Sequence, residues 1–196
     1  MFTKNENITL RVAEPYDADI IYRWENDMEI WRVSDTIVPF SRHQIEQFLL
    51  NNNDLVSDKQ LRLMIVGSIN GDVVGCIDLY DYDSFNQRAG IGIMVDKNHR
   101  GKGYAKQAIA LLMDYCFNTL LLNQLYALVL SSSIDSIVLF ESLGFERCGI
   151  RKQWCKTPSG FTDQIEYQYI NYYSFLWTST CLSFVWTCGF IRKSFS

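Results

Sequence analysis

Apolar and polar residues alternate from Ile8 to Val12, the two-residue period of a half-buried strand. Pro15 then opens a helix. Asp17 and Asp19 suit its first turn, and Ile20, Ile21, Trp24, Met28 and Trp31 recur at helical spacing on one buried face. Glu25 and Glu29 fall one turn apart on that helix, either as a solvated face or as the wall of a cation-binding cleft. Ser41 caps a second helix that runs to about Leu50, and the polar run Asn51 to Lys59 reads as a loop. Leu61 to Ile69 and Val73 to Tyr82 are strand-like, with Asn70-Gly71 between them as a two-residue hairpin signal. Asp83 to Arg88 forms a longer turn back into a third strand that begins at Ala89.

The third strand leads into the stretch around which the chain is organised. Ala89 to Val95 is followed by Asp96 to His99 and then by Arg100-Gly101-Lys102-Gly103-Tyr104-Ala105. A helix follows, with Ala105, Ile109, Leu112, Met113, Cys116 and Phe117 at helical spacing to about Thr119. Glycines at a helix start let backbone N–H groups face an anion, and the helix dipole favours negative charge there. A phosphate-bearing ligand suits this turn. It is not a Walker loop, because Lys102 is followed by Gly103, and it lacks the third glycine of a dinucleotide fingerprint, where Gln107 and Ala108 stand. Gly90 and Gly92 permit either a bulge or a close approach by another molecule. Leu125 to Leu130 reads as a buried strand, Ser133 and Asp135 start a helix that Gly144 ends, and Glu146 to Trp154 and Thr162 to Ile170 form two more strands around Pro158-Ser159-Gly160. The pattern is a mixed α/β sheet in one domain.

With 196 residues, 48% of them hydrophobic, the chain can bury a sizeable core. A formal charge of −4 with no dense Lys/Arg stripe excludes a nucleic-acid binder. The six cysteines have no metal-like spacing, so reduced thiols in the cytoplasm and no metal are expected, and Lys4, Glu6 and Arg11 interrupt any signal peptide. From Tyr172 to Ile191 the chain has no charge and is rich in Trp, Phe, Ser, Thr and Cys. That length is near the ~20 residues needed to cross a bilayer. The many hydroxyl residues favour packing on a partner subunit over membrane anchoring. The expected organisation is one domain over residues 1–171 with a hydrophobic aromatic tail over 172–196, in a chain able to form a homo-oligomer.

The strand, Arg-Gly-Lys-Gly-Tyr-Ala, the helix with Met113-Asp114-Tyr115-Cys116-Phe117, the Leu125-Tyr126 strand and Leu139-Phe140-Glu141-Ser142-Leu143-Gly144-Phe145 follow one another in the order of a known family. From Ile8 to Ile170 the chain resembles the GNAT superfamily of N-acetyltransferases, most of all the branch of spermidine N-acetyltransferases and ribosomal-protein N-terminal acetyltransferases. The resemblance implies an α/β (α+β) fold with a mostly antiparallel central sheet of about seven strands, helices on both faces, and strands four and five splayed apart. It implies acetyl-CoA as cosubstrate, its pantetheine arm along Ile93, Met94 and Val95, and its pyrophosphate on amides from Arg100, Gly101, Lys102, Gly103, Tyr104 and Ala105. A backbone N–H near Met94 would polarise the thioester carbonyl while a primary amine attacks directly, without a covalent enzyme intermediate.

Two positions depart from the family pattern. Phe140 stands where the family often has a tyrosine that protonates the departing thiolate, which leaves Tyr126, Tyr104, Ser142 or a water to do so. Ser133 stands where an asparagine commonly contacts the cofactor arm. For the acceptor, alignment with polyamine acetyltransferases implies acidic contacts at Asp35, Asp78 and Asp81, with Glu25 as a further wall of the cleft. A family glutamate is Gly90 here. Asp78 and Asp81 are three apart on a strand, so at most one faces the cleft. His43 and His99 have no recognisable pairing and read as surface residues. The expected activity is acetyl transfer to a primary amine, a polyamine such as spermidine being preferred. A protein N-terminus, an aminoglycoside, or a non-catalytic acyl-CoA-binding module are the alternatives.

Overall fold

A computed structural model describes residues 3–31, 38–51, 55–157 and 160–172. Asp35, the Pro158-Ser159 turn and the tail from residue 173 onward lie outside the described residues. Eight strands, β1 (Thr3–Lys4), β2 (Ile8–Val12), β3 (Leu61–Gly67), β4 (Val73–Asp83), β5 (Arg88–Val95), β6 (Gln124–Leu130), β7 (Glu146–Thr157) and β8 (Gly160–Ile170), form one sheet in the order β1-β2-β3-β4-β5-β6-β8-β7. Every neighbouring pair is antiparallel except β5 and β6. Their parallel ladder holds only for Arg88 to Gly90 against Gln124 to Tyr126, and beyond it the two strands separate. The two-residue edge strand β1 raises the count to eight, so the splay expected between strands four and five lies between β5 and β6.

Alternation within the strands sends residues to two cores, one on each face. On one face Leu61, Leu63, Ile65, Ile77, Leu79, Ile91, Leu125, Ala127, Ile165 and Tyr167 pack with Ala108, Ile109, Leu112 and Cys116 of helix α5 (Tyr104–Asn118) and Phe140 of α6 (Ile134–Glu141). On the other, Met64 and Cys76 pack with Ala18, Ile21 and Trp24 of α1 (Ala18–Glu25) and Ile45 and Leu49 of α3 (Arg42–Asn51). This second layer of helices covers β2 to β4, and beside it Tyr126, Leu128, Glu166 and Gln168 line an open cleft on β6 and β8.

Three local expectations change. The first helix stops at Glu25 and a separate turn, α2 (Met28–Trp31), follows. Asn26 donates its amide to Tyr22 O and Phe40 O, and the Glu29 N–H goes to Asp27 Oδ1, so side chains take over from the helical ladder. Glu25 and Glu29 therefore belong to different helices. The segment read as a loop contains a short helix, α4 (Leu55–Asp58). The β3–β4 hairpin loop is longer than two residues: Gly67 N–H donates to Asp72 O and Gly71 N–H to Gly67 O. Only Gly71 of the Asn70-Gly71 pair takes a positive φ, +71°, whereas a two-residue I′ turn needs two. No helix among the described residues is long and apolar enough to cross a membrane.

Candidate functional site

The gap between β5 and β6 exposes backbone groups, and the ladder decides which. Asp96 N–H donates to Val74 O, and Cys76 pairs with Met94 in the same register. Residues 92, 94 and 96 of β5 therefore point their backbone groups at β4, and residues 91, 93 and 95 point theirs at β6. Gln87 O accepts the Gln124 N–H, which gives the same parity from the other side. The Met94 N–H is thus engaged with β4, and the donors facing the gap are those of Ile93 and Val95. This corrects the residue expected to polarise a carbonyl by one position, in either direction.

The gap ends at the glycine turn. Gly101 and Gly103 take φ of +74° and +78°, left-handed conformations in which a side chain would be strained, and Gly103 is the N-cap of α5. No side chain caps that helix, so the amides of its first turn are available to an anion. Arg100 Nε donates to Val95 O at 3.1 Å and Lys102 Nζ to Asn98 O at 3.3 Å, which ties both cations to the strand and turn beside those amides. Tyr104 has its hydroxyl near Gly67 and its ring 6.4 Å from His99. Ser133 caps α6 in position, but its hydroxyl donates to Ser136 Oγ, and Ser142 donates to Leu139 O.

Next to the gap, on the α1/α3 face, a cavity of about 400 Å³ is walled by Phe40, Ile45 and Phe48 and reaches Gly92 and Tyr80. Its polar end joins two of the four expected acceptor carboxylates through a residue that sequence reasoning passed over. Arg62 donates to Asp78 Oδ1 and Oδ2, both at 2.9 Å, and to Glu25 Oε1 at 2.5 Å, and its guanidinium lies 5.5 Å from the Phe48 ring. Burial alone would lower its pKa, but Asp78 and then Glu25 carry it well above the ordinary value. Two carboxylates share one guanidinium, and the cluster carries a net charge of −1. Asp81 does not join them. It sits at a register shift in β4 with φ +49° and accepts the Tyr126 hydroxyl at 2.9 Å in the separate open cleft. Burial and that bond to Asp81 push the Tyr126 pKa up, and its proton is committed to the carboxylate.

Phe140 is 3% exposed and packs on Phe145 and Tyr167, with centroids at 5.1 and 6.4 Å. Its place is in the core. Tyr80 instead packs over Gly90, the last paired residue of β5 before the gap. A Cβ on Gly90 would lie 2.2 Å from Tyr80 Cε2 and 2.4 Å from Cζ, so the ring occupies the space that Gly90 leaves empty. Gly90 thus serves the protein's own tyrosine, while Gly92, with nothing closer than 3.8 Å, leaves the cavity floor open. Tyr80 and Gly90 are directly cross-strand neighbours. An aromatic opposite a glycine is a recurrent pairing, and it would have been legible once the register was known.

A family model described as an acetyltransferase (GNAT) domain matches residues 7–146. The chain is 33% identical over 160 residues to the uncharacterized N-acetyltransferase p20 of Bacillus licheniformis, covering 81% of this chain and 89% of that one. It is 26% identical over 141 residues to the spermidine N(1)-acetyltransferase of Vibrio cholerae, covering 72% and 80%. The crystal structure of the Vibrio cholerae spermidine N-acetyltransferase in complex with CoA and spermine superposes with a TM-score of 0.79 at 22% identity, over 87% of this chain and 99% of that one.

Proposed function

The chain belongs to the GNAT family of acetyltransferases, and from that premise we propose that it transfers acetyl from acetyl-CoA to a primary amine held in the Glu25–Arg62–Asp78 cavity, a polyamine such as spermidine being the acceptor. The observation that carries this reading is the junction of three features: the open β5–β6 gap, the uncapped glycine turn at its end, and an apolar cavity with an anionic floor beside it. Amides of the Arg100–Ala105 turn bind the pyrophosphate. The Ile93 and Val95 backbone groups pair with the pantetheine arm, and one of the two N–H groups stabilises the oxyanion as charge develops. The neutral amine, positioned by the carboxylates, attacks the thioester carbonyl carbon directly. The resemblance to a spermidine acetyltransferase by sequence supports the polyamine.

Arg62 favours a second reading of the acceptor. A floor of net charge −1 between two phenylalanines suits a single ammonium on an apolar body, which describes the N-terminus of a peptide as well as one end of a polyamine. Release of free thiol from acetyl-CoA against spermidine, spermine, short diamines, an alanine- or serine-starting peptide and an aminoglycoside tests these readings. Turnover confined to polyamines supports the first, and turnover of the peptide alone moves the assignment to the second. Absence of turnover with retained acetyl-CoA binding leaves an acyl-CoA-binding module.

A further inference from the structure

We propose that Tyr80 is the general acid of this site, giving its phenolic proton to the thiolate that leaves when the amide forms. The inference rests on the acetyltransferase reading above, with the thioester in the β5–β6 gap. Its ground is geometric. Tyr80 sits over Gly90, borders the acceptor cavity, and meets the ring of Tyr126 of β6 edge-on at 5.6 Å. Even-numbered residues of β6 face β5, and pairing stops at Tyr126, so the Leu128 N–H is the first donor that the splay sets free. Tyr80 is thus the side chain at the apex of the gap, in contact with both the strand that would hold the cosubstrate and the cavity that would hold the amine.

Of the other hydroxyls considered for this step, Tyr126 donates to Asp81, Ser142 donates to Leu139 O and Tyr104 has its hydroxyl near Gly67 of β3, while Phe140 has no proton to give. Burial is the main cause that pushes the Tyr80 pKa up, to about 12, with Asp81 and Glu166 adding to it and the Leu128 N–H and Arg151 opposing. The ring of Tyr126 meets it edge-on at 5.6 Å, and the Arg62–Asp78 pair lies along the same cavity. Tyr80 is therefore protonated at neutral pH, as a donor must be. In the step itself the amine lone pair forms the C–N bond, the C–S bond breaks with its electrons on sulfur, and sulfur takes the Tyr80 proton. Water then returns to the phenolate the proton surrendered by the acylated nitrogen, so the balance closes without another reactant.

The test uses the full chain, with titration calorimetry of acetyl-CoA and thiol-release kinetics on the amine that it turns over. Calorimetry judges the acetyltransferase reading by itself, because a chain that fails to bind acetyl-CoA refutes that reading whatever Tyr80 does. Tyr80→Phe removes one oxygen and keeps the ring on Gly90. The expected result is a kcat lower by about 100-fold with both KM values within about threefold of native. A kcat within about threefold of native overturns the proposal. So does a loss expressed in KM with kcat retained, which would make Tyr80 a positioning residue, and so does loss of turnover in Tyr126→Phe but not in Tyr80→Phe.

Discussion

Replacing Arg62 by Met isolates the charge of the acceptor cavity. The change removes three charge-assisted hydrogen bonds and leaves Glu25 and Asp78, whose side chains are 20% and 28% exposed, facing each other without a cation. Truncating one partner of a buried pair costs about 3–5 kcal/mol. The partial exposure of this cluster and the apolar stem that Met keeps against Phe48 reduce that to about 2–3 kcal/mol, a fall in Tm of roughly 5–10 °C for a chain of this size. For a polyamine the same change is a gain. A second carboxylate about 6 Å from an ammonium contributes about 3 kcal/mol at an effective dielectric of about 20, and solvent access halves it. The KM for spermidine should then fall by roughly 10-fold, whereas a monoamine or peptide N-terminus, which places only one charge near the floor, gains less. Thermal melts with and without spermidine, and KM for spermidine against the peptide, measure both effects. Spermidine should raise the Tm of the variant more than that of the native chain. An unchanged Tm together with a higher KM for spermidine would refute the view that Arg62 sets the charge of this cavity.

Gly90→Ala drives a Cβ to within 2.2 Å of the Tyr80 ring and should destabilise by about 1–3 kcal/mol in chemical denaturation, whereas Gly92→Ala, with 3.8 Å to its nearest neighbour, should cost less than about 1 kcal/mol. Phe140→Tyr places a hydroxyl in a site 3% exposed and should lower stability by about 1–3 kcal/mol without raising kcat, read by Tm and thiol release. The Asp96 pKa is depressed, chiefly because the Trp24 indole N–H donates to its carboxylate at 2.9 Å. A folded pKa below the unfolded value gives stability that is present above about pH 4 and is lost as the pH falls through the folded pKa. Asp96→Asn should therefore flatten the decline of Tm between pH 5 and pH 3.

Local chemistry along the chain determined most of the elements. The two-residue period marks β2 and the core strands, helical spacing marks α1, α3 and α5, and the order of Arg-Gly-Lys-Gly-Tyr-Ala and Leu-Gly-Phe identifies the family. The glycine turn was legible for the same reason, since left-handed backbone at Gly101 and Gly103 is a local demand that glycine meets at no steric cost. What the tertiary structure decided depends on partners far apart in sequence. Arg62 meets Asp78 across 16 residues and Glu25 across 37, so the charge of the cavity is a property of the packed sheet and helix rather than of any segment. Which N–H groups line the gap follows from the β4–β5 register, where one residue of slip would exchange Met94 for its neighbours. Tyr80 and Gly90 carry no signal until an antiparallel ladder sets them opposite each other. Periodicity reports which face of an element is buried, and only the pairing of elements fixes which groups stand together at the site.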